Sequence, residues 1–232
     1  MSNPFRYFNS SPEVIRLVVM MYVRYPLSLR NVEDLLAERG IDISHETVRF
    51  WWNRFGPLFA AEIRKRRVTN MRGYPQWRWH LDEVFVKVNG KLCYLWRAVD
   101  HEGGVLEAVA TAKRDKAAAL KLLKPIMKKY GSPRSIVTDG LRAYSAAMSE
   151  IGVAAERTRS AVGSTIAQRI RISRFGDERA MQRFRSLKTL QKFSSVHAQV
   201  HNYFNQERHL VTRQVYKQRR SAVLAEWRTL VA

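Results

Sequence analysis

Two aspartates stand on short apolar segments whose residues alternate like those of β-strands. Asp82 lies in the middle of residues 77–88, and Asp139 directly follows the run 135–138. Two carboxylates brought to one site from separate strands suit Mg²⁺ (or Mn²⁺), because Mg²⁺ takes oxygen ligands and keeps several of its waters. Since the chain is strongly basic, we expect the anion handled at such a metal site to be phosphate.

Each aspartate also has a plainer explanation. Asp82 could be a polar residue on a solvated sheet face, and Asp139 followed by Gly140 is typical of a turn. The two aspartates together favour a catalytic site more strongly than either residue does alone. In a phosphodiester site, two metal ions about 3.5–4 Å apart activate the attacking hydroxyl and stabilise the leaving oxygen, and such sites collect three carboxylates.

The composition narrows the partners. The 232 residues include 41 Lys+Arg against 20 Asp+Glu, a formal charge of +21. Nucleic acid is the expected partner, since the sequence has no apolar run long enough to span a bilayer and no signal peptide at its N-terminus. We expect a soluble, cytoplasmic protein. The single cysteine, Cys93, excludes an internal disulfide and a cysteine-based zinc site.

The N-terminal third predicts three helices. The first follows the Ser11-Pro12 cap and ends before Pro26, the second runs from Ser28 to about Arg39, and the third begins at His45. A short helix, a glycine turn and a helix with a polar face are typical of a helix-turn-helix, in which the last helix enters the major groove. An ordinary three-helix bundle is the alternative.

A basic run after the third helix favours DNA binding over that alternative. Such a run beside a recognition helix suits backbone phosphates, although it is also common at a solvated helix end. The predicted DNA-binding residues lie on the third helix and in the run: Thr47, Arg49, Asn53, Arg54, Lys65, Arg66 and Arg67.

From about residue 76 the periodicity changes from helix to strand, after a predicted linker at 68–75. Asn89-Gly90 predicts a tight hairpin between the first two strands. A third strand, an amphipathic helix over 116–130, a fourth strand and another helix follow. This order predicts a ribonuclease H-like mixed sheet covered by helices, in which Asp82 and Asp139 would face one another.

The predicted organisation is therefore of mixed α+β and α/β class. A helix-turn-helix domain occupies 1–67, the ribonuclease H-like core 76–190, and a helical basic C-terminal region 191–232. His197 and His201 have metal-ligand spacing on that last region, with His209 nearby. Without an acidic residue between them, a polar helix face is the preferred interpretation.

Several blocks resemble the DDE-type insertion-sequence transposases of the IS6 group. They are the N-terminal helix-turn-helix pattern, Trp79-His80-Leu81-Asp82-Glu83, residues 94–100 (Tyr-Leu-Trp-Arg-Ala-Val-Asp) and Thr138-Asp139-Gly140. The resemblance implies that Asp82 and Asp139 are the first two acids of the catalytic triad. It also implies an enzyme that cuts and joins double-stranded DNA at the element's terminal inverted repeats and at its target, using Mg²⁺. Pairing two ends predicts a homodimer.

The third acid is missing from its expected place. The family carries a glutamate within Asn-Asn-Arg-Ala-Glu-Asn-Ser-His, whereas residues 164–171 read Ser-Thr-Ile-Ala-Gln-Arg-Ile-Arg. With permitted codons for residues 165–173, a frame starting one base earlier reads Asn-Asn-Arg-Ala-Glu-Asn-Ser-His-Gln, the family motif. The absent glutamate would straddle Gln168 and Arg169. We therefore hypothesise two compensating frameshifts, near Arg157 and Asp177, which leave residues 157–177 garbled.

The altered segment makes the activity of this copy a separate question. Arg169, Arg171 and Arg174 place positive charge where a carboxylate is expected, which would repel a metal. Glu156 and Glu178 are conceivable substitutes, but Glu178 already matches a different glutamate of the family. The alternatives are a catalytically dead DNA-binding remnant or repressor-like protein, and a nuclease or resolvase that uses other residues.

Overall fold

The computed structural model describes residues 3–25, 27–71, 78–153, 158–160, 184–205 and 211–231, with side chains described outside 68–71 and 158–160. These residues form two compact units. One comprises residues 1–65 with 199–232, and the other residues 66–198. Among the described residues, no helix is both long and apolar enough to cross a membrane.

The first unit is helical. Helix α1 spans Pro12–Arg24, α2 spans Leu29–Ala37 and α3 spans His45–Met71. The hydroxyls of Ser11 and Ser28 accept the backbone N–H groups that open α1 and α2, as their cap sequences predict. Gly40 has a φ of 71°, the left-handed conformation that lets the chain turn between α2 and α3. The predicted starts of all three helices are confirmed.

Helix α3 is longer than the sequence indicated. It continues to Met71, so the segment predicted as a linker at 68–75 begins inside a helix. The physical reason is that residues 68–71 contain neither Gly nor Pro to end it. Residues 72–75 lie outside the described part of the chain.

The C-terminal region is helical, as the sequence predicted. The predicted region at 191–232 contains two helices, the end of α6 (Leu187–Phe204) and α7 (Arg213–Arg228), and residues 199–232 belong to the same unit as the N-terminal helices. The Trp227 indole N–H donates to the Arg16 carbonyl at 3.1 Å, and the Arg16 Nε–H donates to the Leu230 carbonyl at 2.9 Å. Trp227 also packs edge-on against Phe59.

The second unit contains a five-stranded sheet. Its strands are β1 (Arg78–Val88), β2 (Lys91–Asp100), β3 (Val105–Thr111), β4 (Ser135–Thr138) and β5 (Thr158–Ser160). The spatial order is β3-β2-β1-β4-β5, with β1, β2 and β3 antiparallel and β4 and β5 parallel to β1. This is the predicted ribonuclease H-like sheet, and the hairpin turns at Asn89-Gly90 as expected, with positive φ at both residues.

Helices cover the sheet. Helices α4 (Lys116–Tyr130) and α5 (Arg142–Ile151) bury the main core with Trp79, Leu81 and Trp96. Ala198 of α6 is buried with Val99 and Val105, from positions that alternate to the other face. The Gln191 amide accepts from Ala110 N–H at 2.7 Å and donates to the Ala108 carbonyl at 2.8 Å. Gln191 therefore satisfies the open edge of β3, which would otherwise expose unpaired backbone groups.

Candidate active site

Strand β1 directs Asp82 away from the main core. Successive side chains along a strand point to opposite faces, and Trp79 and Leu81 are buried beneath α4 and α5. Asp82 must therefore lie on the opposite face, whereas Glu83 lies on the same face as the core residues. The predicted alternation of residues 77–88 thus places two adjacent acids on two sides of one sheet.

The β1–β4 ladder brings Asp139 level with Asp82. The last paired positions are His80 and Val137, in parallel register. Each aspartate follows its paired position by two residues, so continuing the register places them side by side at the end of β4. The negative charges of both also act on the hydroxyl of Tyr144, which is consistent with their closeness.

Both oxygens of Asp82 are engaged by Arg97. The two residues are cross-strand partners in the β1–β2 hairpin. The Arg97 Nε–H donates to Asp82 Oδ1 at 3.0 Å and a terminal N–H group donates to Oδ2, giving a two-point ion pair. The Arg97 side chain is only 6% exposed and that of Asp82 27% exposed, so the pair is largely shielded from water.

Asp139 is half-exposed and uses its two oxygens differently. Oδ1 accepts the N–H of Leu141 at 3.1 Å, which is the turn interaction that the Asp139-Gly140 sequence also predicted. Oδ2 lies 3.7 Å from the Arg114 guanidinium. The turn and the candidate metal site are therefore compatible, because only one oxygen is committed to the turn.

Arg114 connects Asp139 to Glu83 on the other face. Its Nε–H donates to Glu83 Oε1 at 2.8 Å, and a terminal N–H group donates to the same oxygen. The Glu83 side chain is 1% exposed. Burial raises the pKa of the Glu83 carboxyl, and the charge of Asp139 raises it further, whereas the hydrogen bond from Arg114 lowers it.

Tyr144 of α5 closes this network beneath the sheet. Its ring packs edge-on against Trp96 at 5.3 Å, and burial raises the pKa of its hydroxyl well above its ordinary value, with the nearby carboxylates adding to the effect. By hydrogen-bond geometry, the Tyr144 hydroxyl and Glu83 Oε2 are each without a partner among the described residues. The two groups influence each other's pKa, so they lie near each other, but their geometry is not that of a hydrogen bond.

His80 is a buried neutral histidine next to this site. Only 4% of the residue is exposed. Burial lowers the pKa of its imidazole to about 4, and the positive charges of Arg78 and His101 act in the same direction. It is therefore uncharged at neutral pH.

The described carboxylates suit a magnesium ion held by few protein ligands. No group of three His, Cys, Asp or Glu side chains with metal-binding geometry occurs in the part of the chain that is described. Asp82 and Asp139 nevertheless form a pair of hard oxygen donors, and Mg²⁺ is commonly held by one or two carboxylates together with waters and substrate phosphates. The pair fits Mg²⁺ once the Asp82 oxygens are released by Arg97.

The position of the missing third acid, at Gln168 and Arg169, lies outside the described residues. The same holds for Glu156, Glu178 and the predicted frameshifted segment 157–177, apart from the backbone of 158–160. The interpretation of that segment therefore stays a prediction.

The predicted DNA-binding residues of α3 lie in different surroundings. Arg49, Asn53 and Arg54 are exposed, and Arg49 donates to Glu46 at 2.8 Å. Thr47 is half-buried, and its backbone N–H and hydroxyl contact the Ser44 hydroxyl at the start of the helix. Lys65 and Arg66 are exposed. These exposed side chains of α3 therefore remain candidates for contact with nucleic acid, and Thr47 is the least accessible of the predicted residues.

Arg67, which was predicted to bind DNA, has partners within the protein. Its guanidinium donates to Asp100 Oδ2 at 2.6 Å and to the Val105 carbonyl at 2.8 Å. The sequence did not indicate this buried acceptor, which lies 33 residues further along the chain, and the contact of Arg67 with DNA stays a prediction. A guanidinium committed to a buried carboxylate is held away from phosphate.

The histidines predicted to form a polar face are partly buried. His197 is 4% exposed and stacks on Phe193 at 5.6 Å. His201 is half-buried, and His209 lies outside the described residues. The packing of His197 against Phe193 is sufficient to explain a histidine at this position without a metal.

Sequence reasoning missed three residues of interest. Arg97 could have been found, because a two-residue turn at Asn89-Gly90 fixes the register that pairs it with Asp82. Arg114 carried no local signal, since its partners lie on distant strands. Phe50 was also missed; it is 56% exposed in the middle of the polar face of α3, where an apolar side chain is unexpected.

Comparisons with known proteins show which family the chain resembles. A family model for the DDE domain of IS240-type transposases matches residues 76–207. A transposase of the insertion sequence-like element IS431mec from Staphylococcus aureus is 34% identical over 149 residues, 64% of each chain. The uncharacterized protein MJ0017 of Methanocaldococcus jannaschii is 30% identical, over 67% of this chain and 68% of its own.

The match spans less than two thirds of the length of the Staphylococcus aureus relatives. Among solved structures, the catalytic core domain of HTLV-2 integrase in complex with magnesium (trimeric form) aligns with a TM-score of 0.41. The alignment has 14% identity and covers 61% of this chain and 96% of that chain.

Proposed function

The chain belongs to the IS6 group of DDE-type insertion-sequence transposases, and from this we propose that it binds the ends of a DNA element and promotes their metal-dependent cleavage and transfer. The observation that supports the proposal is the parallel register of β1 and β4, which ends at the His80–Val137 pair, two residues before Asp82 and Asp139. Two carboxylates at one edge of a ribonuclease H-like sheet, on a chain with a formal charge of +21, suit phosphodiester chemistry.

Asp82 and Asp139 would hold Mg²⁺ or Mn²⁺ through their carboxylate oxygens. The bound ion would supply Lewis-acid activation of a hydroxyl and stabilisation of the leaving oxygen. The ion pair with the buried Glu83 carboxylate keeps the Arg114 guanidinium beside Asp139. The protein's own contribution is thus to fix Asp82 on strand β1 and Asp139 directly after strand β4, because rigid elements position reacting groups more accurately than loops do.

The DNA-binding part of the proposal rests on α3. Arg49, Asn53 and Arg54 are exposed on this helix, and Lys65 and Arg66 are exposed positive charges further along the same helix. Side chains of this kind on a recognition helix contact base edges in the major groove, while the basic run contacts backbone phosphate. We propose double-stranded terminal repeats and target DNA as partners, a homodimer as the working form, and the cytoplasm as its location.

The missing glutamate at residues 168–169 supports a second candidate function. A chain that binds element ends without a third carboxylate would be a catalytically dead DNA-binding remnant or a repressor-like protein. It would occupy the ends and leave them uncut. An electrophoretic shift without strand transfer would favour this candidate over the enzyme.

The deciding experiment is a Mg²⁺- or Mn²⁺-dependent strand-transfer assay with the repeats that flank the gene. The chain is compared with a variant whose residues 157–177 are replaced by the translation of the alternative frame, which restores the glutamate. We expect transfer by the restored protein, and its loss in the restored protein carrying Asp82→Asn or Asp139→Asn. Cleavage that survives both substitutions would overturn the assignment and indicate a nuclease or resolvase of another kind.

The same assay tests the hypothesis about this copy. Transfer by the restored protein alone would establish a transposase disabled at its third acid. Transfer by both proteins would mean that another residue completes the site. Gene codons incompatible with the shifted reading of residues 165–173 would refute the frameshift hypothesis independently of activity.

A further inference from the structure

Each candidate metal ligand already faces a guanidinium. Arg97 binds both oxygens of Asp82, and Arg114 lies 3.7 Å from Asp139 Oδ2. Two carboxylates brought close to each other repel unless positive charge lies near them. In this fold two arginines provide that charge.

We infer that Arg97 and Arg114 are internal counter-cations, which hold the two aspartates together before metal arrives and which a divalent cation must replace. The inference rests on the proposed assignment of Asp82 and Asp139 as metal ligands. On this inference Arg97 is the main obstacle to metal binding, because its two-point pair occupies the oxygens of Asp82 that would bind the cation.

The two arginines differ in what would hold them after they release the aspartates. Arg114 retains Glu83, whose Oε1 accepts two of its N–H groups, so it can leave Asp139 without losing its anchor. Arg97 instead gives its Nε–H and a terminal N–H group to Asp82, the same carboxylate that the cation would take. Metal binding should therefore displace the Arg97 guanidinium more than that of Arg114.

The counter-cation role has a consequence for affinity. A metal that has to break a charged, two-point hydrogen-bonded pair binds more weakly than one entering a free carboxylate. We expect Arg97→Gln to bind Mn²⁺ about ten- to a hundredfold more tightly than the unaltered chain. This range corresponds to the free energy that hydrogen bonds to charged groups usually contribute.

The test is calorimetric titration of the full chain with Mn²⁺, without DNA and without reference to catalysis. Lys113→Gln is the matched control, since it removes a positive charge from an exposed residue adjacent to Arg114. A general electrostatic effect would tighten binding equally in Arg97→Gln and Lys113→Gln. A specific counter-cation gives a clearly larger change in Arg97→Gln.

Three further variants guard against misfolding and locate the site. Arg97→Lys keeps the charge but loses the two-point geometry, and it should tighten Mn²⁺ binding to an intermediate extent. Arg114→Lys, at a side chain that is one third exposed, should tighten it modestly. Asp82→Asn should abolish the binding that the arginine variants strengthen.

A direct readout comes from NMR of the arginine Nε–H groups. We expect the Arg97 resonance to be protected from exchange without metal and to shift and lose protection with Mg²⁺, whereas that of Arg114 stays protected by Glu83. Asp82-dependent Mn²⁺ binding of equal affinity in the unaltered chain, Arg97→Gln and Arg97→Lys would overturn the inference while leaving the proposed metal site standing. Binding indifferent to Asp82→Asn would instead refute the metal site itself.

Discussion

The Arg67 guanidinium donates to the Asp100 carboxylate across 2.6 Å, and the two side chains are 18% and 3% exposed. Asp100 also accepts the backbone N–H groups of Glu102 and Gly104, at 3.0 and 2.7 Å. One carboxylate therefore organises the turn between β2 and β3 and fixes Arg67 upon it. The last residue of a four-residue basic run, which the sequence assigned to DNA, has a structural role.

Arg67→Ala should destabilise the protein more than it weakens DNA binding. Removing one partner of a largely buried ion pair leaves Asp100 uncompensated, at a cost on the order of 3 kcal/mol. Arg66→Ala is the matched control at an exposed neighbour, and it should change stability by less than about 0.5 kcal/mol while weakening DNA binding. Urea unfolding and a salt-dependent DNA titration measure the two effects. Equal loss of stability in both variants would contradict this account.

Phe50 should contact a thymine methyl group if α3 is the recognition helix. Its ring is 56% exposed between Arg49 and Arg54 and stacks on Phe8 at 5.9 Å, which holds an apolar surface among polar residues. Phe is one of the side chains that contacts the thymine methyl in the major groove. Burying one methyl is worth about 0.8 kcal/mol, or about fourfold in Kd.

Replacing thymine by uracil, one position at a time, in a terminal-repeat duplex tests this contact. Uracil at one position should weaken DNA binding by the unaltered chain about fourfold. The same replacement should not change DNA binding by the Phe50→Ala variant. Leu58→Ala, at another exposed apolar residue of α3, is the control and should keep the sensitivity to uracil. Uracil effects that persist in Phe50→Ala would show that Phe50 does not contact the methyl.

His80 should make the protein less stable in mild acid. The folded pKa of about 4 lies below the ordinary value of 6.5, so between these pH values the unfolded chain binds the additional proton. Stability from the neutral imidazole is present above pH 6.5 and is lost as the pH falls towards 4, by at most about 3 kcal/mol.

Urea unfolding between pH 4 and 7 in EDTA measures this dependence. His80→Gln should reduce the slope of stability against pH in that window, whatever its effect on absolute stability. His101→Gln is the comparison at an exposed histidine, and it should reduce the slope less, because the charge of His101 is the smallest of the three causes that lower the His80 pKa. An unchanged slope in His80→Gln would mean that other groups govern the acid sensitivity.

Much of the fold could be predicted because its signals are local. Serine caps, the Asn89-Gly90 turn and the alternation through Asp82 each act within a few residues, and the strand order then restricts where Asp139 can lie. The hairpin even determined the Asp82–Arg97 pair, although that consequence of the turn was not recognised from the sequence.

The remaining features depend on contacts between distant parts of the chain. Arg114 lies 31 residues from Glu83, and Arg67 lies 33 residues from Asp100, so no local sequence pattern predicts either ion pair. The basic composition of the last helix likewise predicts a solvated face, which most of α7 has, while the single buried Trp227 decides where that helix packs. Periodicity reports which side of an element is apolar but does not identify its partner.

Trp227 should therefore be essential to the N-terminal helices. Besides donating to the Arg16 carbonyl, its indole packs against Phe59 and Phe204, at 5.4 Å each. Trp227→Ala should cost about 3–5 kcal/mol, the usual range for removing a buried aromatic side chain. Arg219→Ala, on an exposed part of the same helix, should change stability by less than about 0.5 kcal/mol.

Amide hydrogen exchange can locate the loss in Trp227→Ala. We expect faster exchange in α1 and α3 up to Lys65, because the variant weakens the unit formed by residues 1–65 and 199–232, and little change in β1 and β2. DNA binding should weaken in parallel, since the proposed recognition helix lies in the affected unit. Uniformly faster exchange across β1 and β2 as well would show that the two units unfold together, and unchanged exchange in α1 would show that the C-terminal helix does not stabilise the N-terminal ones.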